Sequence, residues 1–409
     1  MQVSRNKKMK ITGIIAEYNP FHKGHAYHIS RIRESGADGV VAVMGGNFTQ
    51  RGELSFCTKL AKAESTVAGG VDLVLEMPLA YTVSSAEDFA VGGVKILNAL
   101  GCVDSLSFGC EEHNFQNLFT LAELLEGEDY KEKLKECLAS GLGFAAARQK
   151  TLEQSGHPEL SHLLSSPNNI LSAEYLSALK KTGSAITPLP VARIGADHNS
   201  LDISGEICSA SAIRKAAQTD PQGALSFCPP PCREILLKEI NRGRAPLDFA
   251  KIENAVLFCL RGLSADYIKG INGVSEGLEN RIADAVRAGR SFDETVSLAV
   301  TKRYTAARIR RVLICSVLGI TKELAHKDPP YIRVLAANKR GFEMLKEAKK
   351  TAHIPIITKA AKICGLSPAA NDFFKVENRA MDLVSLCFCE RGKCGLELTE
   401  NTFNQFIVF

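Results

Sequence analysis

Four short apolar runs recur in the first 110 residues, each separated from the next by a helix-like stretch: ITGIIA (11–16), GVVAVM (39–44), VDLVLEM (71–77) and VDSLSFG (103–109). Short, mostly apolar runs like these read as buried strands. Strands joined through helices run parallel, because a parallel pair needs a long crossover. Helices are expected over 24–35, 58–68 and 84–101, the last opened by serine caps and closed by Gly101. ITPLPVARIG (186–195) reads as a fifth strand of the same sheet, and SASAIRKAAQ (209–218) as a capped helix after it. The pattern predicts an α/β, Rossmann-like parallel-sheet domain.

At 409 residues the chain exceeds one ordinary core, so at least two domains are expected. The proline-rich FCPPPC (227–232) is its clearest break. Before it lies a sheet domain over 9–226. After it, 233–409 reads as a mainly α-helical region, with a possible small βαβ unit at 331–359. No apolar run approaches the ~20 residues that span a membrane. The opening apolar stretch stops at Glu17, too short for a secretory signal. Thirteen cysteines are scattered without a framework, which reads as reduced thiols in a cytoplasmic protein. Cys228 with Cys232, and Cys387 with Cys389 and Cys394, lack paired CxxC spacing and nearby histidines, so no metal site is expected. The net charge of +5 permits a basic face and no more.

The stretch EYNPFHKGHAYH (17–28) follows the first strand and opens the first helix. Ligands of a parallel sheet bind beyond the carboxyl ends of its strands, and a helix start attracts phosphate through its unpaired N–H groups and dipole. Pro20 fixes a turn, and Gly24 lets the backbone come close to a ligand. His22 and His25, spaced HxGH, can both donate hydrogen bonds to phosphate oxygens that gain charge as pyrophosphate leaves.

HKGH (22–25) resembles the HxGH signature of the nucleotidyltransferase superfamily, whose members attack the α-phosphate of ATP and release pyrophosphate. The longer string GIIAEYNPFHKGHAYHI, taken with VMGGNFTQRGE (43–53), DLVLEMP (72–78), SFGCE (107–111), SPNNIL (166–171), ARIGAD (192–197), SASAIR (209–214) and TKRYTAARIRR (301–311), resembles one family, the bacterial tRNA(Met) cytidine acetate ligases. That resemblance runs from about residue 9 into the C-terminal region. It implies catalytic roles for His22 and His25. It further implies ATP contacts at Ile15, Ala16, Glu17, Tyr18, Asn19, Pro20, Phe21, Lys23, Gly24 and His28, then at Gly109, at Asn168 or Asn169, and at Arg193, Ser209 and Ser211. GADHNS (195–200) departs from the GAGYHS-like string the family leads one to expect, which leaves Asp197 and His198 without an assigned contact.

Other stretches carry readings of their own. In MGGNFTQRGE the glycines and polar tip suit a mobile lid shaping the acyl or base pocket. The start of SASAIRK, with Arg214 or Lys215, suits the outer phosphates. TKRYTAARIRR carries Lys302, Arg303, Arg308, Arg310 and Arg311 without an acid, which suits an RNA backbone. The resemblance implies an ATP-dependent ligase that makes acetyl-adenylate and acetylates N4 of the wobble cytidine of elongator tRNA(Met). ATP is co-substrate, Mg2+ accompanies its phosphates, and acetate and the tRNA are the partners. Two alternatives stay open: an adenylyltransferase acting on another small substrate, and a non-catalytic nucleotide- or RNA-binding protein.

Overall fold

A computed structural model describes residues 8–193, 208–275, 277–388 and 407–409. The expected βαβ units are present: β1 (Ile11–Ala16), α1 (Lys23–Glu34), β2 (Gly39–Gly45), α2 (Lys59–Ala68), β3 (Leu73–Met77), α3 (Ala86–Leu100) and β4 (Ser105–Cys110). A helical insertion ends in α4 (Pro167–Lys181), which leads into β5 (Thr187–Ala192) and then the short α5 (Ala210–Ala216). These five strands lie parallel in the order β5-β4-β1-β2-β3. Alternate residues of the central strands feed opposite cores. Ile11, Ile15, Val41, Val43 and Leu75 pack on one face, and Ile14, Val40, Ala42, Met44 and Val74 on the other. Both faces of the central strands are covered by helices, which is why β1 to β4 are mostly apolar and buried.

The sheet does not stop at the proline-rich segment, where the sequence placed a domain break. Pro230 there occupies the first turn of α6 (Pro230–Asn241), where its missing N–H costs no hydrogen bond. Cys232 on that helix donates its thiol to the Ser65 carbonyl of α2 at 3.1 Å. After a largely helical stretch that includes α7 (Ala306–Leu318), the chain returns to the sheet through β6 (Ile332–Ala337). β6 lies antiparallel to β3, pairing Leu73 with Ala337 and Leu75 with Val334. α8 (Lys339–Thr351) then crosses to β7 (Ile356–Ile357), which is parallel to β6. β8 (Ile407–Val408) pairs with the other end of β6. The expected βαβ unit is thus an edge of the main sheet. Periodicity reveals the strand but not its partner some 260 residues earlier.

α9 (Pro368–Ser385) is tied to this sheet by a buried group of charges. Lys59 Nζ lies 2.5 Å from Glu76 Oε1 and 3.3 Å from Glu377 Oε2, and Arg333 Nη1 lies 3.2 Å from Glu76 Oε2. The Leu79 N–H donates to Glu377 Oε1 at 2.6 Å. The flanking cations hold the Glu76 carboxyl below its ordinary range, while burial and the facing Glu76 push Glu377 up to about 7. Described cysteines, Cys228, Cys232 and Cys387 included, are free thiols, and Cys389 and Cys394 lie outside the described residues.

Removing one member of such a buried group strands the others. Lys59→Met leaves two carboxylates facing each other and should lower stability by about 3–5 kcal/mol in denaturant titration. A loss below about 1 kcal/mol would mean that Arg333 alone compensates both acids.

Candidate active site

β1 lies between β4 and β2, so the chain leaves β1 toward one side of the sheet and later builds β4 and β5 on the other. A crevice opens at such a switch point beyond the carboxyl ends of the strands. Here it is a cleft of about 390 Å3. Fourteen of the eighteen residues expected at a nucleotide site line it: Ile15, Ala16, Glu17, Tyr18, Asn19, His22, Gly24, His25, His28, Gly109, Asn168, Arg193, Ser209 and Ser211. The other four are placed elsewhere. Pro20 and Phe21 are buried behind the turn, Lys23 faces solvent, and Asn169 is buried. Asp197 and His198 lie outside the described residues.

The floor is the turn between β1 and α1. Tyr18 sits at φ +46°, a left-handed conformation that non-glycine residues rarely adopt and that neighbouring structure must hold. The hold is aromatic: the Tyr18 ring centroid lies 4.9 Å from Phe21 and 4.8 Å from His25. Phe21 in turn fills the space that Gly69 leaves by lacking a side chain. His22 is the N-cap of α1. Its Nδ1 accepts from the Gly24 N–H at 3.1 Å, and His25 Nδ1 accepts from the His22 N–H at 3.2 Å. This is a capping box made of two imidazoles instead of serine and glutamate. The rings stack with centroids 3.7 Å apart. A nitrogen that accepts carries no proton, so each neutral ring bears its proton on Nε2. Burial, with His22, Arg193 and His28 close by, holds the His25 imidazole well below its ordinary range. His25 is therefore a neutral Nε2–H donor. Two buried atoms of the floor, Tyr18 Oη and Asn19 Nδ2, have no hydrogen-bond partner among the described residues.

One wall is the β2–α2 loop. Its glycines suggested a hinged lid, but the loop is pinned. Lys62, buried and pushed down to about 8, donates to the carbonyls of Gly45 and Gly46 at 2.8 and 2.9 Å and to Ser55 Oγ at 3.1 Å. Asn47 Oδ1 accepts from the Lys59 N–H at 2.8 Å. The Gln50 N–H donates to Glu17 Oε1 at 2.5 Å, and its side-chain amide to the Ser84 carbonyl at 2.7 Å. Gly52, at φ +75°, lies against the backbone of Arg310 and Arg311, which a Cβ would meet at 3.2 Å. Lys62 was missed in the sequence because its role is a burial that no local pattern encodes.

The same contact changes the reading of the arginine-rich stretch. Only its second half is helical, within α7, and Thr305 caps it. Arg308 donates to the Gly273 carbonyl at 3.0 Å and to Ser275 Oγ at 2.7 Å. Arg310 pairs with Glu53 at 3.4 Å and Asp293 at 3.5 Å. Arg311 is withdrawn enough from water that its pKa falls. Arg308 and Arg310 thus join parts of the protein and Arg311 is partly withdrawn, whereas Lys302 and Arg303 are exposed. Glu53 also lies 3.9 Å from Arg214, which donates to the Asn19 carbonyl at 2.8 Å.

The opposite wall joins the ends of β4 and β5 to the start of α4. The two asparagines divide the work. Asn169 Oδ1 accepts from the N–H groups of Glu111 and Glu112 at 2.9 and 3.1 Å, while Asn168 faces the cleft. A Cβ on Gly109 would meet the Arg193 Cγ at 3.2 Å, so the glycine lets the arginine lie across the strand end. Ser209 caps α5, with its Oγ accepting from the Ala212 N–H at 3.1 Å, and Ser211 Oγ accepts from Arg214 at 3.4 Å. Among the described residues no group of three or more His, Cys, Asp or Glu side chains is arranged to hold a metal ion.

His28 pairs its Nε2 with Ser107 Oγ at 2.8 Å, and burial and Arg193 push it down to about 4. In the unfolded chain it takes a proton near its ordinary 6.5 while the folded protein refuses one. Stability is therefore full above about pH 6.5 and falls as pH drops toward 4. His28→Gln should remove on the order of 3 kcal/mol of that acid loss, measured by denaturant unfolding across the window. An unchanged pH profile would show that His28 is not the group responsible.

The sequence profile of the family described as HIGH Nucleotidyl Transferase matches residues 9–394. The tRNA(Met) cytidine acetate ligase of Acetivibrio thermocellus is 39% identical over 96% of this chain and 99% of its own length. The enzyme of the same name from Thermoanaerobacter sp. is 39% identical over 95% and 98%. The crystal structure of apo Thermotoga maritima TmcAL superposes with a TM-score of 0.92 at 32% identity, covering 98% of this chain and all of that one. The same protein bound with alpha-thio ATP gives 0.89. With its imidazole cap, its switch-point cleft and these likenesses along nearly its whole length, the chain belongs to the HIGH nucleotidyltransferase family, in the branch of the tRNA(Met) cytidine acetate ligases.

Proposed function

We propose that this protein activates acetate with ATP as acetyl-adenylate and passes the acetyl group to N4 of the wobble cytidine of elongator tRNA(Met). The observation that carries the reading is the reciprocal cap of His22 and His25, which aligns two Nε2–H donors at the start of α1. An acetate oxygen attacks the α-phosphorus of ATP in line. The bond to the bridging oxygen breaks, and pyrophosphate leaves with the electron pair. Charge grows on the departing oxygens, where donors fixed beforehand stabilise the transition state more than the ground state. Ser211, Arg214 and Asn19 Nδ2 stand on the same side of the cleft floor for the outer phosphates. Mg2+ arriving with ATP would take its ligands from phosphate oxygens and water, and it would offset their charge.

The acid sits by the β2–α2 loop. Arg51 lines the cleft there, near enough to Arg214 for their like charges to interact, and Ala86 and Phe89 offer an apolar surface for a methyl group. In the second step the cytidine amine attacks the acyl carbonyl, the bond to the phosphate oxygen breaks, and AMP leaves as the amine sheds a proton. A cytidine amine is a weak nucleophile, so an acyl phosphate anhydride is a fitting donor. The region after residue 233 faces the tRNA, with exposed Lys302 and Arg303 beside a groove that also holds Arg281 and Tyr304. A tRNA substrate puts this chemistry in the cytoplasm.

The test is acetate-dependent exchange of labelled pyrophosphate into ATP. The wild-type protein should exchange only with acetate present, and His22→Ala or His25→Ala should each lower the rate about 10²–10³-fold with the fold intact by circular dichroism. Exchange that needs a different acid or no acid would favour another adenylyltransferase. Binding without exchange would make the protein a non-catalytic nucleotide binder. Near-normal exchange by either variant would remove the histidines from the mechanism.

A further inference from the structure

Glu111, at the end of β4, does not line the cleft, yet it holds the wall that does. Each of its carboxylate oxygens takes one donor from the start of α4. Ser166 Oγ donates to Oε2, and the Asn168 side-chain amide donates to Oε1. The main chain of the same residue is held by Asn169 Oδ1, and Arg193 Nε lies 3.9 Å from Oε1. Glu111 is therefore fixed from three sides, and it joins β4, the start of α4 and the end of β5.

An ionised carboxylate only accepts hydrogen bonds. Asn168 must therefore turn its NH2 toward Glu111, whichever way the amide is drawn, and its Oδ1 is left for the cleft it lines with Gly109, Val191 and Arg193. A fixed acceptor there selects a donor and disfavours a phosphate oxygen. With phosphate donors gathered at the β1–α1 turn, this wall belongs to the nucleoside, whose donors are the ribose hydroxyls and the exocyclic amine of adenine. We infer that Glu111 is a positioning residue that fixes the Asn168 amide as an acceptor reading one donor group of the nucleoside, and so sets nucleotide selectivity. The inference rests on ATP being the bound nucleotide.

The experiment measures binding of ATP, 2′-deoxy-ATP, 3′-deoxy-ATP and purine riboside triphosphate by calorimetry without acetate, alongside acetate-dependent exchange. The proteins are wild type, Glu111→Ala and Glu111→Gln, each checked by thermal melting. Wild type should bind one of the three analogues about tenfold more weakly than ATP, the size of a lost hydrogen bond. Glu111→Ala frees the amide to flip, and should shrink that penalty to within about threefold. Glu111→Gln should keep it, because the glutamine oxygen can still accept from Asn168 while its NH2 donates to Ser166. Wild type binding all four nucleotides alike would overturn the inference. So would a Glu111→Ala protein that weakens on all four in equal measure, because a merely structural bracket behaves that way. Discrimination in binding without acetate-dependent exchange would support this inference while sinking the ligase reading.

Discussion

The arrangement on which the site depends is the mutual cap of His22 and His25. An α-helix begins with N–H groups that lack partners, and short polar side chains usually satisfy them. Here the imidazoles do so through Nδ1, and the consequence is chemical as well as structural. Each cap bond fixes the tautomer, so the opposite nitrogen of each neutral ring is a donor. Protonating either Nδ1 would break the cap that holds it, and burial of His25 opposes the same step. One pair of hydrogen bonds thus starts the helix, sets the rings and keeps the donors in a single state. The left-handed Tyr18 and its contacts with Phe21 and His25 are the means by which the turn delivers the rings there.

Rigidity spreads outward from that floor. The β2–α2 loop is held by Lys62 from behind, by Glu17 from within the cleft, and by α7 at Gly52. Arg310, Glu53 and Arg214 then form a chain of charges from α7 to the carbonyl of Asn19. The Lys59 group ties α9 and β6 to the same layer. The C-terminal half therefore packs behind the β2–α2 wall of the cleft. A substrate bound on that half would lie against elements that touch the site, a setting suited to an adenylate that must be kept from water until its acceptor is in place.

Much of this was legible in the chain itself. The apolar runs located β1 to β4 because buried strands leave a strong signal, ITPLPVARIG located the half-buried edge strand β5, and HKGH after the first run located the cleft. What stayed hidden depends on long-range partners. IRVLAA reads as a strand, but nothing local says that it pairs with β3. Arg308 and Arg310 look like part of an RNA-binding run because a sequence displays charge and not the carbonyls and carboxylates that meet it. The glycines of the β2–α2 loop look like hinges, whereas Gly52 serves close packing. The two asparagines of SPNNIL could not be told apart until one turned inward to Glu111 and Glu112.

The central claim is that acetate is activated by a bond between its own oxygen and the α-phosphorus of ATP. It is tested most directly with acetate labelled with 18O at both oxygens, incubated with ATP, unmodified tRNA(Met) and the full-length protein, with AMP and phosphate then analysed by mass spectrometry. An acetyl-adenylate route leaves one labelled oxygen in AMP for each acetyl group delivered to cytidine, and none in inorganic phosphate. Label in inorganic phosphate alongside ADP, or acetylated cytidine formed with unlabelled AMP, would contradict the account.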